Sequence, residues 1–375
     1  MQRDLTNSIK EKAYDLGFSL VGISPVGDYP ESQYFKKWLN KGYESTMDYM
    51  SKNTDKRQDV RNLVTGARTV ISCAINYNTD FPYSTSKEDK LKGWIARYAW
   101  GDDYHTVIKD KLTALKEHIV ENSEAGEDDR IYVDTGPVLE RMYAKYSGIG
   151  WIGKNTCLIN QEIGSWLLIG ELITSIELEY DNKAAERCGT CTLCIDSCPT
   201  DAITEPYVLD SSKCISYLTI ENKGSIPREY REPTGNNIFG CDICQDVCPW
   251  NGKPETGTEQ AFLPRDGLFN PNLEELAGLD QEQFSAMFKN SPIKRSKRKG
   301  FIRNILVAIG NSGKHRFEQP VIELLRDEEP LIRIHAVWAL HKISGPKYRD
   351  LLKSMLEKEH DEGVLEELKL VLSLL

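Results

Sequence analysis

The sequence predicts a multi-domain α+β protein, and three observations carry that prediction. Residues 1–180 mix apolar spacings of the helical and strand kinds, residues 181–290 are rich in turn residues and hold eight of the ten cysteines, and residues 291–375 repeat a helical pattern. The first segment reads as a mixed α/β domain, the second as a metal-centred domain, and the third as helical repeats.

Within the first segment Leu5, Ile9, Ala13 and Leu16 recur at helical spacing. Residues 18–23 and 131–134 read as short strands, and 67–77 (ARTVISCAINY) as a buried one. The apolar run 165–178 suits one strand, or two with a bend. Helices are expected over 103–120 and 137–146, the second opened by Pro137 at its first position. In the third segment Asp327-Glu328-Glu329-Pro330 precedes LIRIHAVWAL, and Asp361-Glu362-Gly363, 34 residues later, precedes VLEELKLVLSL. A looser copy begins at Ile302. Helical periods of this length suggest a short HEAT-like solenoid, with a plain bundle as the alternative.

The cysteines of the middle segment form two linked runs, Cys188-x2-Cys191-x2-Cys194-x3-Cys198-Pro199 and Cys241-x2-Cys244-x3-Cys248-Pro249, with Cys214 detached upstream. A 4Fe–4S cubane takes three thiolates from a tight loop and the fourth from elsewhere. In two-cluster ferredoxins the fourth comes from the other run. This pattern assigns Cys188, Cys191, Cys194 and Cys248 to one cluster and Cys198, Cys214, Cys241 and Cys244 to the other, in a ferredoxin-like double 4Fe–4S domain. A zinc ribbon would pair Cys-x2-Cys units without a following Cys-Pro. Disulfides would require an oxidising compartment.

Forty per cent of the residues are hydrophobic, enough for ordinary cores. The amino-terminal stretch is charged and amphipathic, unlike a signal peptide, and no apolar run approaches the ~20 residues of a membrane span. A cytoplasmic monomer that does not engage membranes is expected. The net charge of −10 argues against indiscriminate nucleic-acid binding. A local basic run, Lys294-Arg295-Ser296-Lys297-Arg298-Lys299 followed by Arg303, nonetheless suits a polyanion.

Two motifs resemble others only superficially. Gly148 to Asn155 (GIGWIGKN) contains G-x-G-x-x-G and nearly spells a P-loop. The residues before it read as helix, where both fingerprints need a strand, and Asn155 stands in place of the P-loop hydroxyl. Its glycines instead permit a tight loop that carries Lys154 toward another element. Asp103-Tyr104-His105 opens like the cobalt-ligating D-x-H-x-x-G motif, but Ile108 replaces the closing glycine. Of the two remaining cysteines, Cys73 reads as a core thiol, and Cys157 follows the glycine loop without an evident base.

MDYM (47–50), RQDVRNLVTGARTVI (57–71), IARYAWGDDYH (95–105), VDTGPVLER (133–141) and GIGWIGKNT (148–156), ahead of the double cysteine run, resemble the epoxyqueuosine reductase family over most of the chain. The resemblance implies a cobalamin-binding catalytic domain (1–180), a double 4Fe–4S domain (181–290) and a tRNA-binding helical tail (291–375), an architecture similar to that of reductive dehalogenases. It implies reduction of the epoxide of epoxyqueuosine, at the wobble position of tRNAs with GUN anticodons, to the alkene of queuosine, the last step of queuosine biosynthesis. Cob(I)alamin fed by the clusters would do the work, with cobalamin base-off and without a histidine ligand. An external low-potential donor, a flavodoxin or another ferredoxin, would supply electrons.

Asp134 is the candidate proton donor to the departing oxygen, and also a cofactor-facing residue. From the residues alone it reads as a cap for the helix expected at Pro137. The match to VDTGPVLER reverses that preference, because a carboxyl covered by a corrin face loses solvent and can keep its proton. Arg57, Arg97, Lys154 and Thr156 are candidate contacts to the corrin periphery, and Ser216 and Tyr217 candidates for its cluster-facing side. Lys294, Arg295, Lys297, Arg298 and Arg303, with Lys223, Arg228 and Arg231, are candidate tRNA contacts. Two competing functions are a corrinoid, iron–sulfur dehalogenase-like enzyme acting on a small molecule, and a non-catalytic electron carrier. The first would call for an export signal and no RNA-binding tail. The second leaves the amino-terminal domain without a task.

Overall fold

The computed structural model describes residues 2–86, 89–123, 129–252 and 254–375. Contacts divide the chain into two compact units, each assembled from three stretches of sequence. The first comprises Met1–Pro82, Asp102–Ser212 and Ile243–Leu263, and the second Tyr83–Gly101, Lys213–Asp242 and Pro264–Leu375.

The first unit is built on a four-stranded sheet in which every neighbouring pair is antiparallel. Its order is Leu20–Pro25, Thr69–Asn76, Leu167–Thr174, Arg130–Tyr132. The strand Thr69–Asn76, rich in β-branched residues, is buried at every position, as its largely apolar sequence predicts. Leu167–Thr174 is one strand without the bend that its sequence also allowed. On one face of the sheet the helix Tyr104–Asn122 buries Ile108, Leu112, Leu115 and Ile119. It approaches so closely that a Cβ at Gly170 would lie 2.5 Å from Ile108 and 2.7 Å from Leu112. On the other face Met142 and Tyr143, from the helix Glu140–Tyr146, pack with Val70 and Ile173. Glu171 is wholly buried on the central strand and accepts a 2.7 Å hydrogen bond from Ser72 Oγ across the ladder. Burial raises its pKa well above the usual carboxylate range.

The second unit has one extended apolar core, which draws in the helices Lys297–Ser312, Glu318–Leu324, Pro330–Ser344, Arg349–Leu356 and Glu362–Leu374. The repeated acidic-turn motifs open two of these helices. Asp361 caps the last through Val364 N–H, and Pro330 occupies the first turn of its own. Arg303 is wholly buried within Lys297–Ser312. Its guanidinium donates to the carbonyls of Leu218, Asn222 and Gly224 and to Asn304 Oδ1, over 2.6–3.0 Å. All five N–H groups are used.

Two carboxylates make this unit sensitive to acid. Hydrogen bonds from Lys347, Tyr348, His315 and Ser344 hold Glu318 down at about 2. At Glu359, burial acts upward but is outweighed by the two-pronged contact of Arg333 and the N–H groups of Asp361 and His360, giving about 2. Both folded values lie below the ordinary 4.5. The stabilisation is therefore complete above pH 4.5 and disappears as pH falls toward 2. Thermal melts should show the helical unit weakening across that window, and Glu318→Gln should blunt the decline.

Candidate active site and cluster cysteines

The edge strand Arg130–Tyr132 runs into Val133, whose burial anchors the chain, and then into Asp134, which is exposed. Asp134 lies in the left-handed region at φ 52°, a conformation that aspartate tolerates better than most residues. Two side chains grip it. Tyr104, at the start of the helix Tyr104–Asn122, donates its hydroxyl to Asp134 Oδ2 at 2.7 Å. Glu140 Oε1 accepts the Asp134 backbone N–H, also at 2.7 Å. Two residues on, the Gly136 carbonyl receives Arg57 Nη1 at 3.4 Å. Gly136 must be glycine, because a Cβ there would collide with the Tyr132 ring.

The cap role for Asp134 is corrected. The helix begins at Glu140 rather than Pro137, its N-cap position is Leu139, and no side chain caps it. Tyr104 and Glu140 were missed as partners of Asp134, although both lie inside the motifs quoted above. Arg57 is buried and also donates to the Tyr49 carbonyl, at 3.3 Å, while its buried Nε has no partner among the described residues. It faces Asp134 and Glu140, whose charges oppose the effect of burial on its pKa. Burial, and next the charge of Asp134, push the Glu140 carboxyl well above the usual range.

His105 is held in the first helical turn, with Nδ1 2.7 Å from the capping residue Asp103 and its ring stacked on Tyr104. The glycine loop follows the helix Glu140–Tyr146 and not a strand, so the nucleotide reading stays rejected. Lys154, expected at a corrin rim, instead donates to the carbonyls of Gly189 at 2.6 Å and Cys191 at 2.9 Å. It braces the first cysteine loop. Asn155 reaches the Cys244 carbonyl at 3.2 Å. Thr156 lies at φ 66°, and its carbonyl receives Arg141.

No disulfide joins any of the ten cysteines. Cys248 is buried against Cys188, Trp151, Ile159 and Trp250. Burial, and then nearby Cys188 and Cys194, push the Cys248 thiol up to about 11. Burial raises Cys194 too, helped by Cys188 and Cys191. These four thiols sit close enough to oppose one another's ionisation, the situation that a bound cationic centre relieves. The other four are held by separate elements. Cys198 Sγ accepts the Ala202 N–H at 3.3 Å, Cys214 precedes the helix Ile215–Ile220, Cys241 follows the strand Asn237–Phe239 by one residue, and Cys244 lies in the helix Ile243–Asp246. Among the described residues no three donors converge as a single-ion site, so assigning each cysteine to a cluster rests on the chain's spacing.

Several candidate tRNA contacts need correction. Arg303 has no free N–H for a phosphate. Arg231, 2% exposed, forks onto Glu367, which also binds Arg228. Lys223 donates to the carbonyls of Ile220 and Arg295. Arg298 is committed to Asp327 and the Leu279 carbonyl, Lys299 to Glu329, and Arg295 pairs with Glu221. Lys294 and Lys297 are exposed. Arg97, 1% exposed, lies over the rings of Trp100 and Tyr83. Tyr217 is buried and Ser216 half-buried on Ile215–Ile220.

Comparison with known proteins places these features. Residues 187–251 match the family model of the 4Fe-4S double cluster binding domain, and residues 295–373 that of HEAT repeats. No helix among the described residues is long and apolar enough to cross a membrane. Together with the acid-bearing loop, these define an iron–sulfur oxidoreductase with a helical-repeat module. Residues 57–135 match the model described as epoxyqueuosine reductase QueG, DUF1730. An epoxyqueuosine reductase of Leadbetterella byssophila is 46% identical over 306 residues, covering 81% of this chain and 98% of the relative. That of Escherichia coli is 40% identical over 340 residues, covering 90% and 89%. A crystal structure of epoxyqueuosine reductase with an epoxyqueuosine-modified tRNA-Tyr stem loop superposes with a TM-score of 0.92 at 29% identity, covering 99% of this chain and 98% of that one. A Bacillus subtilis epoxyqueuosine reductase, with its Asp134 catalytic loop swung out of the active site, gives 0.90 at 30% identity over 99% of both chains. The chain belongs to the epoxyqueuosine reductase family.

Proposed function

We propose that this chain reduces the epoxide of epoxyqueuosine at the tRNA wobble position to the alkene of queuosine, with Asp134 protonating the departing oxygen. The observation that carries this reading is the pairing of Asp134 Oδ2 with Tyr104 while the backbone N–H is held by Glu140. This arrangement leaves Oδ1 to meet the leaving oxygen at a strand end. The relative solved with a modified tRNA stem loop supports the substrate, and the relative whose catalytic aspartate loop is swung out of its active site supports the role of Asp134.

The net change takes up two electrons and two protons, breaks both C–O bonds and releases water. Bound cobalamin would supply a low-valent cobalt nucleophile, and two 4Fe–4S clusters would supply single electrons. Arg57 fits a corrin edge, since its buried Nε–H lacks an acceptor among the described residues and corrin side chains are rich in amide oxygens. Ser216 and Thr156 remain candidate contacts. The family resemblance implies no histidine ligand to cobalt. Cys188, Cys191, Cys194 and Cys248 would hold one cluster, and Cys198, Cys214, Cys241 and Cys244 the other. An external flavodoxin or ferredoxin would deliver electrons to a monomeric enzyme. Anaerobically prepared protein should carry about eight iron atoms and bind about one corrin per chain. Failure to bind a corrin would overturn the cobalamin reading.

The tRNA contacts centre on Lys294 and Lys297, with Arg295 beside them. Replacing both lysines by alanine should reduce the slope of log affinity against log salt by about 0.7–0.9 per lost phosphate contact. Arg298→Ala should leave that slope nearly unchanged, because its charge is already matched by Asp327.

A further inference from the structure

We infer that Glu140 is a positioning residue that latches the Asp134 loop, fixing the backbone that aims the Asp134 carboxyl. The inference rests on the reading of Asp134 as proton donor. The left-handed backbone of Asp134 is uncommon for a residue with a side chain, and such a conformation persists only where neighbours enforce it. Among the described residues, no main-chain hydrogen bond closes residues 134–138 on themselves. Side chains do the holding. Glu140 takes the Asp134 N–H at 2.7 Å, Tyr104 takes Oδ2 at 2.7 Å, and Arg57 reaches the Gly136 carbonyl at a weaker 3.4 Å.

Of these three ties, only the one from Glu140 acts on the Asp134 backbone itself. Tyr104 instead holds the carboxyl, through Oδ2, and leaves the backbone free to turn. Glu140 is also well anchored. It is the first residue of the helix Glu140–Tyr146, whose Met142, Tyr143 and Ala144 are buried. The loop is thus tied to the sheet through one helical turn. The groups facing the Glu140 carboxyl are Asp134, Arg57, Arg141 and, from the central strand, Glu171. A protonated Glu140 still offers a carbonyl oxygen to the Asp134 N–H, so the latch needs no charge. Ionised, it would set a second negative charge beside Asp134. Burial disfavours that state.

The test combines hydrogen exchange in the full chain with single-turnover kinetics on an epoxyqueuosine-bearing tRNA stem loop. Glu140→Ala should speed amide exchange across residues 133–139 by about tenfold or more, the loss expected when a hydrogen bond to a carboxyl is removed. It should slow turnover by about ten- to a hundredfold while KM for the stem loop stays within about threefold. Glu140→Gln, which keeps the acceptor, should recover protection and most of the rate. Glu140→Asp, which keeps the carboxyl but loses reach, should behave like alanine and serves if the alanine variant folds poorly. Unchanged exchange over residues 133–139 in Glu140→Ala or Glu140→Asp overturns the latch. The exchange result judges Glu140 alone, whereas a fully active Asp134→Asn would refute the donor role of Asp134.

Discussion

Asp134→Asn should leave cofactor loading and stem-loop binding intact and slow turnover by about a hundred- to ten-thousandfold, the usual contribution of a positioned general acid. The substitution is informative because the surroundings would barely notice it. Asparagine tolerates the left-handed backbone at φ 52° as well as aspartate does. Its Oδ1 can accept the Tyr104 hydroxyl, and its N–H still reaches Glu140. What disappears is the carboxyl that can hand a proton to the leaving oxygen. A single-turnover rate within about threefold of the parent would transfer the donor role to another group or to a water.

Arg303→Leu should destabilise the second unit by about 3 kcal/mol or more, since several hydrogen bonds from a charged donor are lost together. Three main-chain carbonyls, at Leu218, Asn222 and Gly224, would lose their donors, and that of Leu218 is buried. The neighbouring Asn304 would suffer too, since its amide holds the carbonyls of Thr219 and Ile238 at 2.8 Å each. These carbonyls lie in the helix that follows Cys214 and the strand that precedes Cys241. Looser packing there should also lower iron content toward about half. Arg303→Lys should recover little, because one ammonium cannot reproduce a planar five-donor fork. Urea unfolding followed by circular dichroism, with iron analysis of the folded protein, checks both effects.

What was legible in the sequence was set by local pattern. The cysteine runs have ligand spacing within a few residues, and Thr69–Asn76 announces its burial through β-branched residues. Tyr104–Asn122 shows its apolar stripe, and the acidic turns mark the repeated helices. Contacts across long stretches of chain were not legible. Arg303 seemed to extend the basic run, but its acceptors lie 79 to 85 residues away. Its apolar flanks, in FIRNILVAIG, were the available warning. Arg231 finds Glu367 136 residues on, and Lys154 finds the cysteine loop 35 and 37 residues on. The late start of the helix at Glu140 had a different cause. Pro137 is a good opening residue, but Gly136 is pressed against Tyr132 and the side chains of Tyr104 and Glu140 hold Asp134 in a turn. Tertiary contacts there override the local signal.

The most direct test of the proposed reaction is to incubate anaerobically reconstituted protein with an epoxyqueuosine-containing tRNA stem loop and a strong one-electron reductant, with and without cobalamin, and to weigh the released nucleoside. The account predicts a product lighter by one oxygen atom, formed only when cobalamin is present. An unchanged nucleoside in the complete mixture, or equal conversion without cobalamin, would contradict it.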